Sequence, residues 1–182
     1  MFFFLFIYDI ILYIYGDIME KEFNKIIKKI LYSKEFKKRK EYTHHGNISV
    51  YEHSLKVAYL SYKISRKLRL DYKNAAIGAI LHDMYYEPWQ EKAPIKPFYK
   101  KHGFTHAKQA LENSKKLFPK LINKKTEDII KKHMFPLNII PPKYIESWIV
   151  TISDKIVSTS DYVYIYKNKF SLWLFFIFNF IK

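Results

Sequence analysis

The sequence predicts an all-α fold: a compact helical bundle formed by residues 19–168 of the 182-residue chain. Three observations carry this. Apolar residues recur at helical spacing in one segment after another. Residues that start helices stand ahead of those segments. No alternating stretch reads as a convincing hairpin, and there is neither an internal repeat nor a low-complexity linker.

The elements follow in order. Met19 opens an amphipathic helix, MEKEFNKIIKKIL, with Phe23, Ile26, Ile27, Ile30 and Leu31 on one face. Ser49-Val50-Tyr51-Glu52 has the S-x-x-E pattern of a capping box and starts a second helix. Val57, Leu60, Ile64 and Leu68 should point inward there. A third helix begins near Asp71, a good N-cap, and runs through AAIGAILHDM. It is apolar nearly all round, which places it at the buried centre of the bundle. Pro88, Pro94 and Pro97 punctuate a loop. Thr105 can cap a fourth helix, and Thr126, followed by Glu127 and Asp128, a fifth. Pro141-Pro142 then leads into a long sixth helix with Ile145, Ile149, Ile152 and Ile156 as its stripe.

Composition excludes several chemistries. Hydrophobic residues make up 49% of the chain, enough for a sizeable core. With no cysteine there are no disulfides, thiolate ligands or cysteine nucleophiles. The four glycines, Gly16, Gly46, Gly78 and Gly103, are too scattered for a dinucleotide-binding or P-loop turn. The serine-hydrolase elbow G-x-S-x-G is missing as well.

The formal net charge is +15, yet of 32 basic residues only Arg39, Arg66 and Arg69 are arginine. Nucleic-acid readers favour arginine for bidentate contacts. Solvated lysine faces are the first reading of this excess. A basic approach to an anionic small molecule is the second, and nucleic acid is the least favoured partner.

The ends differ from the middle. Residues 1–18 open with MFFFLFIYDIILYIY, and residues 169–182 contain FSLWLFFIFNFIK. Each run is short for a membrane span of roughly 20 residues. The first lacks the basic region and cleavage site of a secretory signal. The expectation is an apolar N-terminal extension and an apolar C-terminal tail. They would pack on the domain, lie outside the natural product, or touch a membrane surface.

Polar residues inside apolar helices are the informative anomaly. His82-Asp83 follows AAIGAIL on the most hydrophobic helix, Asp154 sits in WIVTISDKIV, and His53 in YEHSLKVA. A buried Asp is rarely left without a partner or a metal. Three helices thus each offer a metal-competent group, and helix-borne His and carboxylates converging in a bundle core can build a metal site. Neutral imidazole with carboxylate suits Fe, Mn, Co, Ni or Zn better than Mg. Two His and two Asp leave open positions on a six-coordinate ion for water and a phosphate oxygen.

With its H…HD…D order, read here as His53, His82-Asp83 and Asp154, the sequence resembles the HD-domain superfamily of metal-dependent phosphohydrolases. The segments YEHSLKVA and AAIGAILHD are similar to the family's text, and the resemblance spans roughly residues 40–165. It implies an all-α bundle of the HD type with a central metal, and hydrolysis of phosphate esters or anhydrides. Some such proteins hold a second ion with two further His, which His106 and His133 match in order. Ala107 stands where the family often has proline. Asp83 would bridge the ions. His102 competes for the place of His106, because a His-Gly start to this helix also occurs in the family. The alternative is one ion, with His102, His106 and His133 on substrate phosphate.

His44 and His45 precede the helix of His53. Either could touch phosphate or protonate a leaving group, or be an ordinary loop residue. Lys155 could reach a phosphate as a point charge, although it points about 100° away from Asp154 on a helix. Tyr85, Tyr86 and Trp89 could wall a pocket or simply pack.

The expected function is hydrolysis of a small phosphorylated compound, a nucleotide first among them, in the cytoplasm. His53, His82, Asp83 and Asp154 would hold the principal ion, His106 and His133 a second. Asp83 would be catalytic, and His102, His45 and Lys155 would bind substrate. The rival is a non-enzymatic, metal-stabilised binding or regulatory module attached to a membrane through its apolar ends.

Overall fold

A computed structural model describes residues 21–45, 48–85 and 102–180, without the side chains of residues 45, 102–104, 162 and 164–180. The expectations for residues 1–18, for Met19 as a helix start and for the loop with Pro88, Pro94 and Pro97 lie outside the described residues, as do those for Tyr86 and Trp89. Among the described residues there are seven α-helices: α1 (Lys21–Leu31), α2 (Lys34–Lys37), α3 (Val50–Lys67), α4 (Tyr72–Leu81), α5 (His102–Leu117), α6 (Lys124–Lys132) and α7 (Ile145–Phe180). The fold is all-α, as the helical periodicity predicts.

One small sheet interrupts it. β1 (Thr43–His45) pairs antiparallel with β2 (Ile48–Ser49), with Thr43 opposite Ser49. This hairpin differs from the expectation that the chain has none. Five strand residues give no room for an alternating pattern; the Gly46-Asn47 dipeptide was the available turn signal. Ser49 ends β2 and at the same time caps α3. Its Oγ accepts from the Glu52 N–H at 3.2 Å, while Glu52 accepts the Ser49 N–H at 3.0 Å, so the capping box forms as expected.

The core is built from α1, α3, α4, α5, α6 and α7, with Phe36 of α2. Phe23, Ile27 and Ile30 of α1 are fully buried, and Ile26 and Leu31 pack at their edge. Phe23 meets the rings of Tyr59 and Tyr62 at 5.2 and 5.3 Å. Glu22 accepts the hydroxyls of Tyr62 and Tyr72 at 3.1 and 2.9 Å, which ties α1 to α3 and α4. Helix α4 is central, with Ala75, Ala76, Gly78, Ala79, Ile80 and Leu81 buried. Gly78 lets α6 approach closely: a Cβ there would stand 2.6 Å from Ile129 Cγ2 and 2.8 Å from its Cβ.

Several expectations are corrected. Helix α4 stops at Leu81, so His82 is its C-cap and Asp83 lies in the turn beyond. Thr105 does not cap a helix, because α5 already starts at His102. The N-cap of α6 is Asn123; its side chain accepts the Thr126 N–H at 3.1 Å, and Thr126 returns a bond to the Asn123 N–H at 2.7 Å. An Asn three residues earlier offers the same cap, and periodicity alone did not separate the two. Leu68, the C-cap of α3, is 58% exposed. The helix closes by a bond from the Leu70 N–H to the Ser65 carbonyl, with Arg69 at a φ of 56° where glycine is usual.

The stripe of α7 is also corrected. Ile145 and Ile152 are 61% and 51% exposed, whereas Ile149, Val150, Ser153, Asp154, Val157 and Asp161 face inward. Ile149 is buried and Ile156 packs against the core as expected, but the buried face also carries small polar residues, so a purely apolar template misplaced the other two. No helix among the described residues is long and apolar enough to cross a membrane.

Candidate metal centre

His53 lies one turn inside α3, held by the capping box, and is fully buried with Ser54 and Val57. Its Nε2 meets Asp154 Oδ1 of α7 at 3.0 Å. His82 and Asp83 leave the end of α4. The turn is pinned from α5, where the Asn113 side chain donates to the Met84 carbonyl at 2.8 Å. His106 on α5 and His133 at the C-cap of α6 complete the group, their Nε2 atoms 2.9 Å apart.

Two histidines are oriented by the same device. His82 Nδ1 donates to the Ala79 carbonyl at 2.6 Å, and His133 Nδ1 to the Ile130 carbonyl at 2.8 Å. A ring that donates from Nδ1 presents a lone pair at Nε2 when neutral. His82 Nε2 is buried and has no hydrogen-bond partner, yet stands 3.4 Å from Asp83 Oδ2 and 3.6 Å from Asp154 Oδ1. A proton on Nε2 or a bound cation would each satisfy these three atoms in their buried space. The donor set, imidazole nitrogen with carboxylate oxygen, fits a divalent transition metal.

Asp83 is the hub. Its Oδ2 faces His82 at 3.4 Å, His44 at 3.5 Å and His53 at 4.0 Å, while its Oδ1 faces His106 at 3.5 Å and His133 at 3.8 Å. The carboxylate therefore stands between two sets of imidazoles, as a bridging ligand would.

The electrostatics agree. Burial would raise Asp83, but His82, His44 and His106 hold it well below the usual carboxylate range. Asp154 is held down likewise by His53 and His82 against its burial. Burial would lower His53; the hydrogen bond to Asp154, with Asp161 and Asp83, overrides it and holds the ring at about 9. His82 is also raised, Asp83 and Asp154 outweighing burial. His133 goes the other way, to about 3, through burial and the neighbouring His82 and His106. The two carboxylates thus attract positive charge into the site, and His133 stays neutral and ready to ligate.

A family model described as HD domain matches residues 50–159. The chain belongs to the HD-domain family. Its members are metal-dependent phosphohydrolases as a superfamily, and the H…HD…D residues of this HD domain are those that meet in the buried cluster. Neither a search of curated proteins nor one of solved structures returns a match.

Every sequence-derived ligand candidate of the HD domain is in the cluster: His53, His82, Asp83, Asp154, His106 and His133. His106 is brought to Asp83; the side chain of its competitor His102 lies outside the described residues, as does that of His45. Lys155 reaches solvent, and its Nζ donates to the His133 carbonyl at 3.3 Å. Burial pushes its ammonium below the ordinary value, and Asp154 opposes the fall. Tyr85 is buried, its ring 6.0 Å from that of His106.

The sequence marks His44 as a residue that could touch phosphate or protonate a leaving group; its ring stacks on His53 and faces Asp83. Sequence reasoning missed Asp161. Its Oδ2 lies 3.6 Å from His53 Nδ1, and its Oδ1 accepts Lys56 Nζ at 2.8 Å. Its place seven residues after Asp154, two helical turns along one face, was the signal.

Proposed function

We propose that this HD domain is a metal-dependent phosphohydrolase that cleaves a phosphate ester or anhydride of a small phosphorylated compound, with a nucleotide as the first candidate. The observation that supports this most is Asp83 with its two oxygens turned to two histidine sets. In this reading His53, His82, Asp83 and Asp154 hold one ion, Fe, Mn, Co, Ni or Zn before Mg. His106 and His133 hold a second, with Asp83 between them.

When bound, the metal supplies an acidified water and a Lewis acid for a phosphoryl oxygen. The chain's own groups do the rest. Asp83, kept ionised by the surrounding imidazoles, orients the attacking water by accepting its hydrogen bond. The Ala79 and Ile130 carbonyls lock His82 and His133, so the site needs little rearrangement. Lys155, beside the second histidine pair, offers a point charge to phosphate, and His102 and His45 are assigned to the substrate side. The net charge of +15 favours the approach of an anion.

Elemental analysis of the purified protein and a phosphate-release assay over a nucleotide panel test the reading. Wild type should carry a transition metal and release phosphate from at least one compound. Asp83→Ala should lose tight metal binding and activity together. A fully active Asp83→Ala protein would end the metal-hydrolase reading. A metal-loaded wild type inert towards the whole panel would leave the binding module instead.

A further inference from the structure

Asp161 lies on α7 just beyond the matched residues 50–159, two helical turns after Asp154. Its side chain is fully buried against the ring of His53. His53 Nε2 meets Asp154 Oδ1 at 3.0 Å, while the ring's other nitrogen, Nδ1, meets Asp161 Oδ2 at 3.6 Å. His53 Nδ1 and Asp161 Oδ2 are both buried, and neither has a hydrogen-bond partner among the described residues. The second oxygen of Asp161, Oδ1, accepts Lys56 Nζ at 2.8 Å.

The chemistry of imidazole gives this arrangement a meaning. A neutral ring carries one proton and offers one lone pair. A metal shared with Asp154 takes the lone pair at Nε2, so the proton stands at Nδ1, inside the protein. A buried N–H without an acceptor costs the full desolvation of the donor. Asp161 Oδ2 is the acceptor that faces it. Closing the 3.6 Å by roughly half an ångström brings the pair into the ordinary hydrogen-bond range. His82 and His133 use the Ala79 and Ile130 carbonyls for the same purpose. A carboxylate does more than a carbonyl, because it also raises the basicity of the ligand.

Resting on the metal-hydrolase reading above, we propose that Asp161 is the positioning residue of His53: it holds the ring proton at Nδ1, and Lys56 fixes the carboxylate that does so. Asp161 touches neither metal nor substrate and acts through His53. Lys56 makes the role testable. An amide in place of the carboxylate has one oxygen and one NH2, and Lys56, a donor only, takes the oxygen. Asp161→Asn therefore turns its NH2 to Nδ1 and drives the ring proton to Nε2, where the metal would bind.

The test uses the full chain, stripped of metal and titrated with Co2+ by calorimetry. Asp161→Asn should bind one Co2+ about 10–100-fold more weakly than wild type, the usual effect of losing an outer partner of a ligand. Adding Lys56→Met lets the amide turn its oxygen to Nδ1, so the double variant should regain most of that affinity. Unchanged affinity in Asp161→Asn would overturn the proposal. So would a loss that the double variant does not regain, since Asp161 would then serve the fold alone. Zn2+-loaded wild type gives a check that needs no substitution. There 15N NMR should find the His53 proton on Nδ1, and a proton on Nε2 would overturn the proposal. A wild type that binds no Co2+ would contradict the metal-hydrolase reading itself, and the inference with it.

Discussion

Gly78 shows how a single missing side chain can set the distance between helices. In an exposed helix, Gly→Ala gains about 1 kcal/mol from propensity. Here an added Cβ would meet Ile129 at 2.6–2.9 Å, and Ile129 is fully buried. The β-branched side chain has little freedom to withdraw. Gly78→Ala should therefore destabilise the protein by about 1–3 kcal/mol, the usual cost of overpacking, and chemical denaturation would measure it. A stabilised variant would show that α4 and α6 part without cost. At the same scale, the clustered histidines and aspartates were legible because a buried His or Asp stands out in an apolar helix. The sequence marks His44 only as a loop histidine that could touch phosphate, and Asp161 not at all, since one lies in a strand too short to show a pattern. The other follows small polar residues that share its buried face.

At the scale of elements, the start of α7 is held by charge as well as packing. Glu146 accepts the Asp71 N–H at 3.0 Å and Lys125 Nζ at 2.8 Å, so one carboxylate joins α7 to the caps of α4 and α6. Asp128 adds bonds from the Lys143 N–H at 2.9 Å and Ser147 Oγ at 2.8 Å. Burial would raise Glu146, but Lys125 and the Asp71 N–H bring it below its ordinary value; burial would also raise Asp71, but Asn74 and Lys125 bring it below its own. A carboxylate lowered in the folded state stabilises fully above its unfolded pKa of about 4, and loses that contribution as pH falls through the folded value. Wild type should thus lose stability as pH drops below about 4. Glu146→Gln should cost about 1.5–3 kcal/mol at pH 7, as expected for bonds to a charged group, and the gap to wild type should narrow as the pH falls through the lowered value of Glu146. A gap independent of pH would remove charge from the account. Helix α7 also shows where pattern reading failed. Its buried face holds Ser147, Thr151, Ser153 and Asp154, and the isoleucines chosen from sequence include two that face solvent.

For the whole molecule, the helical periodicity and the H…HD…D order together gave the fold class, because both are properties of long, regular segments. Helix ends were less legible. Asn123 and Thr126 offer competing caps, and nothing in AAIGAILHDM marks the stop at Leu81. The division of the chain at residue 19 remains our proposal: a protein that begins at Met19 should fold and keep its metal. Thermal melting and elemental analysis of that truncation check it, and loss of folded protein would make residues 1–18 part of the core.

The central claim is that Asp83 stands between two ions. Metal stoichiometry of wild type, His106→Ala and His133→Ala, measured side by side on metal-loaded protein, tests it most directly. The account predicts about two equivalents for wild type and about one for each variant, because His53, His82 and Asp154 would still hold the first ion. Activity should fall steeply in both, since two ions can stabilise both the attacking and the leaving oxygen. Unchanged stoichiometry in both variants, with the loss confined to kinetics, would contradict it and leave a single ion with His106 and His133 on the phosphate.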